Sequence, residues 1–153
     1  MNTKALAIIA ILLWASSAAI VGFKFISGTT VTSEDGREAI VLEPAERDFI
    51  LAEMRGFLVA VQEIISDAND GDMDEVKKTA HRVGVAEIES VPANTMLKLP
   101  MAFKQLGMST HEGFDEVGQA TEFGSKAVLE AVEANMGNCI ACHETYRFTT
   151  AEK

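Results

Sequence analysis

Two thiols and an imidazole close to the C-terminus are the residues best suited to chemistry. Cys139-Ile140-Ala141-Cys142-His143 sets two cysteines three positions apart and a histidine directly after the second. Thiols so spaced on one helical turn can reach the two vinyl groups along one porphyrin edge and form thioethers. The adjacent imidazole can then reach the iron from one face. The pattern points to one covalently bound haem c, attached through Cys139 and Cys142, with His143 as an axial iron ligand. Two blander chemistries use the same residue types. A thioredoxin-like redox pair needs a strand-to-helix context that the sequence does not suggest, and zinc needs at least one more ligand, for which His81 or His111 would have to serve. Both cysteines of the chain lie in this motif, which leaves none for a second haem or for a disulfide elsewhere.

The elements that must position the motif read as helices. From Pro44, a favoured first-turn residue, apolar side chains recur at Ile50, Met54, Phe57, Leu58, Val61, Ile64 and Ile65, the three-and-four stepping of a helix face. The acidic run 67–75 ends this first helix, with Gly71 as turn residue, and Asp72 with Glu75 caps a second whose core face is Val76, Ala80 and Val83. A calcium loop does not fit that run: with Gly71 at loop position six, Ser66 and Ala68 fall at positions one and three and Lys77 at twelve, where oxygen ligands and a glutamate are required. Residues 85–108, with Pro92, Pro100 and Gly107 among Val91, Leu97, Leu99, Met101, Phe103 and Leu106, read as an apolar crossover containing one or two short helical turns. Ser109 and Glu112 form a capping box for a third helix carrying Phe114 and Val117, and Gly124-Ser125 separates it from a fourth. There Val128, Val132, Met136, Cys139, His143 and Tyr146 follow at steps of four, four, three, four and three, placing the motif on that helix's inner face. With no alternating strand segments, the expectation is an all-α, up-down-up-down four-helix bundle.

The ending Cys139-x-x-Cys142-His143-x-x-Tyr146-Arg147, with His143 ten residues before the last, resembles that of the class II cytochromes c, the cytochrome c-prime group and its low-spin relatives. The resemblance covers about residues 45–148 and is specific at the C-terminal motif. It implies a four-helix bundle with His143 as proximal ligand and Arg147 one turn further on, beside the haem. With helices alternating in direction, the start of the first helix is level with the end of the fourth, which brings Ile50, Leu51 and Met54 near the iron. Low-spin members have a methionine ligand on that helix followed by a basic residue, which Met54-Arg55 is similar to. High-spin members carry an apolar residue over the iron four positions after an arginine, a spacing that Arg47 and Leu51 share. Methionine on an apolar helix face is also ordinary core filling, and Met101 and Met108 lie where the crossover could meet the haem end. His81 and His111, with polar neighbours, read as surface or structural residues.

Three further features bound the role. Ala5–Phe23 is a nineteen-residue stretch broken only by Ser16 and Ser17 after a short basic start. Its length, about 28 Å as a helix, favours a membrane anchor over a cleaved signal peptide ending at Ala15–Ala19. The organisation expected is an anchor or signal over 1–24, a linker over 25–43 rich in Gly, Thr and Ser, and a haem domain over 44–153. Net charge is −10, and without Lys4 and Lys24 the remainder holds 11 basic against 23 acidic residues. Such a surface repels nucleic acid and favours redox partner proteins with a basic docking patch. The sequence therefore suggests an electron carrier, not an enzyme, on the periplasmic side of a bacterial inner membrane, or soluble in the periplasm if the segment is cleaved. Its rivals are a c-prime-like protein binding nitric oxide or carbon monoxide, and an accessory haem subunit of a larger membrane redox complex. A peroxidase is a weaker option, because the sequence offers no distal His and Arg pair at a recognisable spacing. The resemblance also admits a homodimer through the first two helices, which no exposed apolar stripe in the sequence demands.

Overall fold

In the computed structural model most residues are helical. The structure describes residues 3–90 and 92–150. Val91 of the crossover and the outermost residues of the anchor and haem-domain ranges, 1–2 and 151–153, lie outside the described residues. Helix α1 (Thr3–Ser27) has no buried residue and is long and apolar enough to cross a membrane, a property shared by anchors and signal sequences. α2 (Pro44–Asp70) starts on its proline and ends at the left-handed Gly71, and Asp72 then caps α3 (Met73–Arg82) by accepting from the Glu75 N–H. A 3₁₀ segment (Val85–Ser90) and the short α4 (Ala93–Lys98) lead to α5 (Met101–Ala120), a second 3₁₀ turn and α6 (Ser125–Thr145).

α5 begins eight residues before the expected capping box, so Ser109 and Glu112 lie inside a helix. The prolines explain the difference. Pro92 and Pro100 are the cap residues of α4 and α5, positions where a missing N–H costs nothing, and they start helices instead of interrupting a crossover. His111 is consequently a mid-helix residue and is buried. Its Nδ1–H donates to the Val83 and Gly84 carbonyls (2.9 and 3.0 Å), its Nε2 lies 3.7 Å from Glu53, and its ring stands edge-on to Phe57. His81 is exposed, 3.4 Å from Asp115.

The expectation of no strands is corrected by a small sheet in the order β1-β2-β3. β1 (Thr30–Thr32) and β2 (Glu38–Leu42) pair antiparallel about an Asp35-Gly36 turn, a dipeptide suited to hairpins, and β3 (Tyr146–Thr150) pairs parallel with β2. Residues 29–42, read as a linker, are thus tied into the domain. Ala39, Ile40 and Leu42 are buried, and that burial makes a five-residue strand worth forming.

Two apolar clusters hold the domain together. α2 meets α3, α3 meets α5, α5 meets α6 and α6 meets α2, around Ala60, Ile64, Ala68, Val76, Ala80, Phe114, Val117, Val128 and Val132. The second cluster joins the sheet to the helices through Ile40, Leu42, Ile50, Leu99, Phe103 and Tyr146. In the first, α5 and α6 approach closely at Gly113. A Cβ there would overlap Asn135, whose buried amide donates to the Thr110 carbonyl at 3.1 Å. Alanine's better helix propensity offers up to about 1 kcal/mol, whereas overpacking a site that cannot move costs about 1–3 kcal/mol. Gly113→Ala is therefore expected to lower the thermal midpoint.

Glu46 fastens the first turn of α2 to α4. It is 9% exposed and accepts from the Glu43 N–H (2.9 Å), Asn94 Nδ2 (2.8 Å) and Lys98 Nζ (2.6 Å). Burial alone would raise its pKa, but the Lys98 ammonium and the two neutral donors outweigh burial and hold the carboxyl below its ordinary 4.5. A carboxyl depressed in the folded state stabilises above its unfolded pKa, and that contribution disappears as pH falls through the lower folded value. The denaturant midpoint of wild type should exceed that of Glu46→Gln at neutral pH, and the gap should close as pH falls below about 4.5.

Candidate functional site

α6 delivers the motif. Val128, Val132 and Asn135 bury its early turns, and Cys139 and Cys142 follow on one later turn, half-buried, both as free thiols. Burial pushes the Cys139 thiol up. Burial, and then the neighbouring Cys139, push Cys142 up to about 11. The cysteines also lie in the C-terminal part of the helix, where the dipole disfavours a thiolate. Both are therefore neutral thiols near pH 7, unlike a reactive redox pair, which needs a lowered pKa. His143 is exposed, and among the described residues its imidazole has no hydrogen-bond partner.

The sheet sets the opposite wall. β3 begins directly after α6, and Tyr146 pairs with Glu38 and Thr150 with Leu42. β2 thus carries the chain away from the end of α6 by five residues, about 16 Å. α2 then starts at Pro44 and packs Ile50 back against Ile40, Leu42 and Tyr146. Met54 follows Ile50 by about one turn of that helix. Met54 and Cys142 pack against the same apolar cluster. Leu51 is half-buried on the preceding turn, and the Arg47 guanidinium is bonded to Asp48. Met108 lines a cavity of about 120 Å³ with Ile50, Met96, Leu99, Phe103 and His111, and Met101 is half-buried at the start of α5.

Arg147 departs from its expected place. α6 ends at Thr145, and Arg147 lies in β3, exposed, with Nη1 3.4 Å from Asp35. It is not one helical turn beyond His143, because β3 is drawn into an extended conformation by its pairing with β2 and by burial of Tyr146. Sequence reasoning missed two residues beside it. Arg37 donates from Nη1 to the His143 carbonyl (3.1 Å) and to the Tyr146 carbonyl (3.5 Å), closing the C-terminus of α6 with a positive charge. Asp35 holds Arg37 through Nε and Nη2, and the Arg37 and Ser33 donors keep its carboxyl far below the usual range. The Asp-Gly turn was the available signal.

No protein family, curated protein or solved structure matches this chain.

What the arrangement can do follows from its donor atoms. Among the described residues no three His, Cys, Asp or Glu side chains converge as ligands of a bare metal ion. Two neutral thiols on one turn, an imidazole beside them and a thioether on the cluster that Cys142 joins are instead the kinds of donor that a covalently attached haem uses. Apolar surface continues from them: Met136 and Ile140 on α6 and Leu58 on α2 are 44%, 57% and 71% exposed, at helical spacing from Cys139, His143 and Met54. A planar apolar group would cover such surface.

Proposed function

We propose that this chain is a membrane-tethered monohaem c-type cytochrome, similar to the low-spin class II proteins, that passes single electrons between redox partners on the periplasmic side of a bacterial inner membrane. The observation that carries the reading is the pair of free, half-buried thiols on one turn of α6, next to an imidazole with no hydrogen-bond partner among the described residues, with Cys142 on the same apolar cluster as Met54. Haem c, when bound, supplies an iron couple that takes up and releases one electron. Cys139 and Cys142 would hold it, and His143 and Met54 would ligate the iron. Arg37 fixes the carbonyl of His143 and so the turn from which the imidazole projects. The finer fold reading, an up-down-up-down four-helix bundle of α2, α3, α5 and α6, is supported by the ring of contacts among them and by their shared core.

A thioether ligand suits a carrier, because it raises the potential and closes the iron to exogenous molecules. Met54 is favoured over Leu51 as the distal residue by its packing on the cluster beneath Cys142, and Arg47 is engaged by Asp48 instead of the site. No substrate is transformed. The net charge of −10 selects partners with a basic patch, so salt should slow exchange with them. Absorption spectra of the ferric and ferrous protein, with and without carbon monoxide, test the reading. A low-spin spectrum indifferent to the gas is expected. A high-spin spectrum that shifts on adding carbon monoxide would make gas binding the function.

A further inference from the structure

The junction between α1 and the domain is built, not slack. Helical bonding runs through Gly28, whose N–H donates to the Lys24 carbonyl (2.9 Å). The Thr29 N–H donates to the Lys98 carbonyl and its own carbonyl accepts from Val41, both at 2.8 Å. Lys104 Nζ donates to the Phe25 carbonyl (3.0 Å) and stands 3.9 Å above that ring's centre. Gly28 has φ +63°, and a Cβ there would lie 2.5 Å from both Lys98 O and Pro100 N, so the backbone of the α4–α5 corner sits directly against it.

That corner belongs to the motif's end of the domain. Leu99 and Phe103 share a cluster with Tyr146 and Cys142, and Phe103 lies edge-on to Tyr146 and Phe148. β1 begins three residues after α1 ends, and β3, which follows His143, is two strands away, about 10 Å. The α2–α3 and α5–α6 turns lie at the opposite end, with α5 spanning about 30 Å between. Of the lysines at the junction, Lys98 is bonded to Glu46 and Lys104 to the Phe25 carbonyl, which ties α4 and α5 to their neighbours. The junction also exposes Phe23, Phe25 and Leu97, apolar and aromatic groups of the kind that settle at a membrane interface.

We infer that, with α1 in the bilayer, the Cys142–His143 end of the domain is held against the lipid headgroups, with α4 as its contact and the α2–α3 and α5–α6 turns facing away. The partner is the lipid headgroup layer, met by Lys24, Phe23 and Leu97. The inference rests on the anchor part of the proposed function and does not depend on the haem.

Photo-cross-linking of the full haem-loaded chain in vesicles of phosphatidylcholine and phosphatidylglycerol tests it. Benzoylphenylalanine would replace Leu97 in one variant and Phe123, 80% exposed at the far turn, in another. The Leu97 variant is expected to give a lipid adduct many-fold more abundant than the Phe123 variant. No adduct at Leu97, or equal adducts at both, overturns the orientation. A short Gly-Ser insertion between Ser27 and Gly28 should abolish the Leu97 adduct while the chain stays in the vesicle, and an adduct that persists overturns the role of the junction. The intact mass of the purified chain shows separately whether residues 1–24 are retained, and their loss would remove the anchor and this inference together. Haem absorbance of the same samples reads the electron-carrier assignment independently.

Discussion

Replacing Cys139 and Cys142 together by alanine is expected to abolish haem that survives denaturation, while the chain is still made and still helical. The thiols are the groups that can form thioethers, and both are free. Each single variant should keep one link, so haem would remain attached in reduced amount, and only the double variant should lose it completely. Haem staining after denaturing electrophoresis reads this directly. The double variant should also unfold at lower denaturant, because Met136, Ile140 and Leu58 would then remain exposed to water. Staining of the double variant at the wild-type level would show that the haem is held elsewhere.

Met54→Ala should leave covalent haem intact and change what the iron does. Without the thioether, the reduction potential should fall by on the order of 100 mV or more, since the axial ligand is the strongest lever on haem potential. The opened position should then bind carbon monoxide, which the wild type should not. Leu51→Ala, one turn earlier, serves as the control and should leave both properties nearly unchanged. If Leu51→Ala alters carbon monoxide binding and Met54→Ala does not, the distal assignment is reversed. Redox titration and gas-difference spectra on the three proteins separate the cases.

The helices were legible because their apolar residues recur at three and four, but their inner faces only in part: Ile50, Ile64, Val76, Val117, Val128 and Val132 are buried, whereas Leu58, Ile65, Met136 and His143, read on the same faces, are exposed. The helix boundaries were legible where Gly71, Asp72 and Gly124 mark them. The start of α5 was not, because proline both breaks and begins helices, and only the surroundings of Pro100 decide which. The sheet escaped because five-residue strands show little alternation, and because β2 and β3 lie more than 100 residues apart, so neither segment contains the other's signal. Of the site, the thiols and imidazole are visible in five consecutive letters. Met54 needed the resemblance as well as the helix pattern, since a methionine on an apolar face looks like core. For Arg37 and Asp35 the Asp-Gly dipeptide signals a turn but not their role, which lies in reaching the carbonyl of His143, a hundred residues away in the chain.

The central claim is that this polypeptide covalently holds one haem through Cys139 and Cys142. The most direct test is the intact mass of the full-length protein under denaturing conditions, taken together with titration of its thiols. The account predicts a chain heavier by one haem, with no thiol left to react. A chain of the mass its sequence gives, with two titratable thiols after expression alongside a haem-attachment pathway, would contradict it.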